Sequence, residues 1–259
     1  MGVGYCISLH HNLKNKFMKL RNAVYVLATV FLVLSVSCKK DSTPGDPYKC
    51  TTCKTTPDAL AANDASSKGV YKGVVIGSTG TIYFNIANNG STINAVMVLD
   101  NVSTTLTASV SWVAGISYVS PFTGTINGSP VVITFQVDAN GQNPVILTSS
   151  IPGHPSAQFT LVKELSTSLI ECFEGTYTST RPETGTFNLL LSRSLGRFGG
   201  SSRETGSTTS EDIDEGTIDA SGNLISNGQP MGHLDGDVIT GTFHDSQGNT
   251  VTINAHRTL

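Results

Sequence analysis

Cys50-Thr51-Thr52-Cys53 is the CxxC of this chain. Two thiols at that spacing serve a local disulfide, a redox dithiol or half of a zinc site. Cys53 is followed by Lys54, so the His that completes a haem-attachment motif is missing. No second CxxC supplies the remaining zinc ligands. A redox dithiol opens a helix beside a strand, whereas this one lies in a polar Thr- and Lys-containing stretch. Cys50 and Cys53 are therefore read as a structural disulfide, with pairing of one of them to Cys172 as the alternative. Left out of a bond, Cys172 is read as a buried thiol.

The other reactive side chains are dispersed. His233, His244 and His256 fall in the last 27 residues, with His244 and His256 on either side of an Asp245-Ser246-Gln247-Gly248 turn. Two His on adjacent strands, completed by His233 or Asp245, would make a metal site; solvent-facing strand positions account for them as well, and no metal is assigned. Glu211-Asp212-Ile213-Asp214-Glu215-Gly216 lacks the ligand order of a calcium loop and is read as a solvated loop entering a strand. Arg193, Arg197 and Arg203 stand among Ser and Gly and are assigned to surface pairing with that acidic run, a glycan or phosphate ligand being the sharper alternative. Trp112 is the sole Trp. Tyr71 and Tyr177 are read as core anchors rather than sugar-stacking platforms. Gly-x-Ser-x-Gly, His-Glu-x-x-His and the phosphate-binding Gly-x-x-x-x-Gly-Lys-Ser/Thr are absent. The chain is thus expected to be no enzyme and to use no cofactor.

Charge narrows the partners. The 259 residues carry 16 cations and 19 acids. Lys14, Lys16, Lys19 and Arg21 precede an apolar run from 23 to 36. Those 14 residues fall short of the ~20 of a spanning helix. The run ends in Leu34-Ser35-Val36-Ser37-Cys38, small residues before a Cys. This basic, apolar and small-residue order resembles a bacterial lipoprotein signal peptide. The resemblance implies that residues 1–37 are removed, with Met18 as an alternative start, and that Cys38 becomes the lipidated, palmitate-bearing first residue. Without residues 1–37, 12 cations face 19 acids, a net charge of −7. Such a chain has no attraction to nucleic acid or anionic lipid, so acyl chains must hold it at the membrane.

Residues 38–68 have the polar composition of an exposed tether. Within it, Thr56 as N-cap and Pro57 as first position predict one short helix over Asp58 and the Ala59-Leu60-Ala61-Ala62 run. Beyond it the chain repeats itself. Gly69-Val70-Tyr71 matches Gly175-Thr176-Tyr177, Thr79-Gly80-Thr81 matches Thr184-Gly185-Thr186, and Asp138…Gly141 matches Asp245…Gly248, all at nearly constant offset. This predicts homologous units at 69–163 and 174–259. Short β-branched or aromatic runs at 81–86, 93–99, 131–137, 158–162, 186–191, 238–243 and 250–255 read as strands. Asn127-Gly128 and Asp235-Gly236 read as tight hairpin turns, and Asp219…Gly222 joins the Asp-x-x-Gly turns. Leu165, Leu169 and Phe173 at i, i+4, i+8 predict a linker helix over 164–173.

The expected fold is all-β: two antiparallel meander or barrel-like units joined by that helix. Their Gly-Thr-aromatic hairpins resemble the small barrels of surface lipoproteins and, loosely, lipocalins. The function expected is a non-catalytic lipoprotein of the bacterial envelope, outer membrane before inner, facing the periplasm or the cell surface. It would present loops 89–92, 113–121, 142–156 and 195–215 to a protein or glycan. The alternatives are an apolar-ligand carrier, which needs small side chains inside the barrel, and a hydrolase.

Overall fold

The structure, a computed structural model, describes residues 47–259 apart from Ser78. The expected signal peptide, Cys38 and the first part of the expected tether lie outside the described residues. Two eight-stranded antiparallel sheets follow one another along the chain. The first runs through β1 (Gly69–Ile76), β2 (Gly80–Ile86), β3 (Ile93–Leu99), β4 (Val102–Ala108), β5 (Tyr118–Ile126), β6 (Ser129–Val137), β7 (Val145–Ser150) and β8 (Gln158–Glu164). The second runs through β9 (Glu171–Ser179), β10 (Thr184–Ser192), β11 (Arg197–Glu204), β12 (Glu211–Ile218), β13 (Asn223–Ser226), β14 (Gln229–Asp235), β15 (Val238–His244) and β16 (Thr250–Arg257).

Both are up-and-down meanders. In the second, β16 pairs with β9 and closes the barrel. In the first, β8 pairs with β1, but no ladder joins β7 to β8, leaving a seam in the wall. The duplicated pattern thus folds into units of the same architecture. Their strands do not correspond one for one at a fixed offset: of the like runs Val132-Ile133-Thr134 and Val238-Ile239-Thr240, the first lies in the sixth strand of its unit and the second in the seventh of its own.

Side-chain alternation fills the interiors. Along β6, Val131, Ile133, Phe135 and Val137 are buried while Val132 is exposed. Phe84 stacks on Phe135 at 4.5 Å between ring centroids and meets Phe122 edge-on at 5.0 Å. The second barrel is filled around Phe173, Phe187, Leu189, Leu191 and Phe198. Hairpin chemistry sets the registers. Asn127 and Gly128 both have positive φ (49° and 80°), which matches the twist of the flanking strands, and Asn227-Gly228 and Asp100-Asn101 repeat the device. At the next predicted hairpin the turn is Gly236-Asp237, one residue later than expected, because Asp235 pairs with Val238 and so ends β14. All three Asp-x-x-Gly turns form, each with the Gly N–H donating to the Asp carbonyl.

The linker helix does not form. Strand β8 runs to Glu164, Leu165 and Ser168 make an isolated bridge, and β9 starts at Glu171. The helical spacing does not make a helix because the segment's residues serve different places: Phe173 enters the second barrel's core, Ile170 joins an apolar cluster with Val74, and Glu164 takes the Ile170 N–H on its carboxylate at 3.0 Å. The predicted helix after Pro57 shrinks to a three-residue 3-10 turn, Ala61–Asn63. Its would-be helical donors are used elsewhere, Asp58 N–H on the Glu164 carboxylate and Leu60 N–H on Asn88 Oδ1.

The tether is also docked from residue 48 onward. Tyr48 donates its hydroxyl to the Arg257 carbonyl at 2.7 Å, and the Cys50 N–H donates to Asp237 at 2.9 Å. Cys50 and Cys53 are joined in a disulfide, with Cα atoms 5.4 Å apart. Farther on, Asn63 is buried and donates to the Asn88 carbonyl, and Lys163 reaches the carbonyls of Asn63 and Lys68. Residues 48–68 therefore form a strap, held by the second barrel at one end and the first at the other.

Candidate functional site

Strand β1 is buried along its whole length because both of its faces are covered. Tyr71 and Val75 point into the first barrel; Val74 joins Ile170, Cys172 and Leu190 in a separate apolar cluster between the barrels. Strand β10 mirrors this, with Phe187, Leu189 and Leu191 inward and Leu190 in the shared cluster. The barrels are also joined by polar bonds. Asn188 Nδ2 donates to the Val75 carbonyl at 2.6 Å, and the Thr160 and Ser201 hydroxyls meet at 2.8 Å.

Two buried ion clusters flank this junction. Lys72 lies 2.5 Å from Glu164, both side chains essentially inaccessible, and Lys72 also donates to the Ile170 carbonyl. Arg257 meets Glu171 at 2.7 Å and Asp237 at 3.5 Å, with Arg193 on the other oxygen of Glu171. Cys172 is wholly buried, and burial pushes its thiol up to about 12.

At one end of the junction the barrels part, leaving a cleft of about 500 Å³. Its walls come from both: Gly77 and Thr79 after β1, Asp100 in the β3–β4 turn, residues 153–156 between β7 and β8, and residues 203–207 at the end of β11. Arg203 is only 7% exposed. Its Nη2 donates to the Ser156 carbonyl at 2.7 Å, while its Nε is buried with no partner. Burial lowers the guanidinium below its ordinary value. Gly77, at φ +87°, is where the guanidinium packs, and any Cβ there would collide with it. On the opposite lip His154 Nδ1 lies 3.9 Å from Asp100, whose other oxygen takes the Thr79 N–H at 3.2 Å.

The residues singled out from sequence distribute unevenly. His244 pairs with Thr250 and His256 with Val238, so they stand at opposite ends of one hairpin; His233 contacts Asn223. The acidic run is not a loop but β12 itself, where Glu215 meets Arg197 at 2.8 Å. The windows 113–121, 142–156 and 195–215 likewise contain strand segments of β5, β7, β11 and β12. Of the three arginines only Arg203 reaches the cleft. His154, Asp100 and Glu204 were not foreseen there. No sequence signal singles out Arg203; its burial, like that of Ser201, comes from the outer face of β11 being covered in the fold. Trp112 lines a smaller cleft of about 270 Å³; its Nε1 donates to Ser67, and Lys68 sits 4.5 Å over its ring.

No family model matches the chain, and comparison with curated proteins and with solved structures likewise finds no match.

Proposed function

We propose that this is a non-catalytic, lipid-anchored binding protein of the bacterial cell envelope, attached through Cys38 at the outer membrane and taking a polar ligand in the cleft between its barrels. The observation that carries the reading is the cleft itself, walled by both barrels and floored by a buried cation. Ligand sites form preferentially at such junctions. The packed interiors speak against an apolar ligand inside either barrel: Phe84, Phe122, Phe135 and Phe187 occupy the space a carrier would leave open. His154 and Asp100, the pair a hydrolytic reading would use, lie 3.9 Å apart, beyond a direct hydrogen bond.

Two measurements test the proposal. Labelled palmitate fed to expressing bacteria should enter the wild-type protein and be lost in Cys38→Ser; equal labelling of both rejects the anchor. The detergent-solubilised full chain, applied to an array of neutral and acidic envelope glycans, should be retained on a subset. Retention on none rejects the binding role.

A further inference from the structure

Three cations of the described residues are buried: Lys72, Arg203 and Arg257. Lys72 is matched by Glu164 and Arg257 by Glu171 and Asp237. Arg203 has no carboxylate partner among the described residues, only one backbone carbonyl, and its Nε is bare. Its neighbour Glu204 is exposed, at the end of β11 where it lines the same cleft, and no ion pair joins the two among the described residues. A buried charge without a counter-charge is costly, and proteins ordinarily pair it. The other occluded cations of this fold obey that rule. Arg203 breaks it where the barrels part into a solvent-connected cleft.

We infer that the cleft takes a singly charged, polyhydroxylated acid, a saccharide of the uronic-acid type, whose carboxylate supplies the missing partner of Arg203. A planar guanidinium suits a carboxylate in bond direction as well as charge. The rest of the lining sets the remaining chemistry. Asp100 and Glu204 accept hydrogen bonds from sugar hydroxyls, and Thr79, Thr186, Thr205 and Ser207 both donate and accept. The two carboxylates also limit the ligand's charge, since a second anionic group would face Asp100 or Glu204. Multiply charged phosphates are disfavoured by the same geometry. The volume, about 500 Å³, is that of a pocket for a short oligosaccharide rather than a single ion.

The inference rests on the binding reading above and is tested separately from it. The full chain in detergent micelles is titrated calorimetrically with glucuronosyl-xylobiose, a trisaccharide with a single carboxylate, and with the neutral xylotriose. Glucuronosyl-xylobiose should bind at least about tenfold more tightly, and raising salt should weaken it. Arg203→Gln should reduce its affinity about tenfold or more. Glu204→Gln, at an exposed position that leaves folding untouched, should strengthen it by about threefold through loss of a like charge. Equal binding of the two sugars, or an affinity unchanged in both variants, overturns the acid preference while leaving a glycan-binding cleft in place. No binding of glucuronosyl-xylobiose overturns the inference outright, and the glycan array then judges the broader reading alone.

Discussion

Single residues show how this fold handles charge. Lys72 and Glu164 are buried together, and Glu164 spends both oxygens on backbone donors as well, Asp58 N–H and Ile170 N–H. Removing one partner strands the other. Lys72→Met or Glu164→Gln is expected to cost about 3–5 kcal/mol in urea unfolding, with strong non-additivity in the double variant. Exposed carboxylates behave differently. Asp219 and Asp245 each accept the side-chain amide of the Asn four residues on, at 2.8 and 2.9 Å, plus backbone N–H groups. Those bonds favour the ionised form and hold both below the ordinary 3.8. As pH falls, the unfolded chain takes up these protons first. The turns therefore contribute fully above 3.8 and lose their contribution as pH drops through the lower folded values. Carboxyl-carbon NMR titration should find both groups titrating low, and Asn249→Ala should return Asp245 toward its ordinary value while leaving Asp219 unmoved. These turns were legible in sequence because Asp and Gly act on their own backbone. Arg203 was not, since its burial depends on the first barrel, more than forty residues away at Ser156.

At the scale of elements, strands with strong apolar alternation were readable and the Thr-, Ser- and Gly-rich ones were not. Strand β6 shows its inward face as Val131, Ile133, Phe135 and Val137. In contrast, β11 (RFGGSSRE) and β12 (EDIDEGTI) carry little contrast between faces, and their assignment comes from closure of the barrel. The misread helix at 164–173 shows the opposite error: a helical period arose by chance across a junction whose apolar residues belong to separate cores. The seam of the first barrel follows from the same low contrast. Strand β7 pairs only with β6, through a register shift at Thr134–Phe135, and nearly all of its residues are exposed. An unpaired edge opens locally at low cost. Amide hydrogen exchange should be fastest, within the strands of the first barrel, at β7, whereas β9 and β16, which close the second barrel, should be protected to about the global stability. Slow exchange along all of β7 would show the seam to be covered.

For the whole molecule, the two barrels are built to different electrical plans. Strands β3 to β7 contain no Asp, Glu, Lys or Arg, while residues 172–259 carry 5 cations and 11 acids. The asymmetry was plain in the composition; the strap was not. Its polar residues looked like tether because its bonds are made to distant backbone and side-chain polar groups rather than through an apolar face. Asp237→Ala, which removes the acceptor of the Cys50 N–H and one neighbour of Arg257, should raise trypsin cleavage at Lys49 and Lys54 by about tenfold and lower the melting temperature by only a few degrees. An unchanged cleavage rate would mean that the strap is held elsewhere.

Residues 48–54 find their partners 187 and 209 positions farther along the chain, at Asp237 and Arg257. Bringing such remote segments together is slow, because the intervening chain must first be organised. During synthesis the strap therefore emerges before its partners yet settles late, after β16 has sealed its barrel. A newly made molecule passes through a period in which both barrels are standing and the strap, with Cys50 and Cys53, is still open to oxidants and proteases.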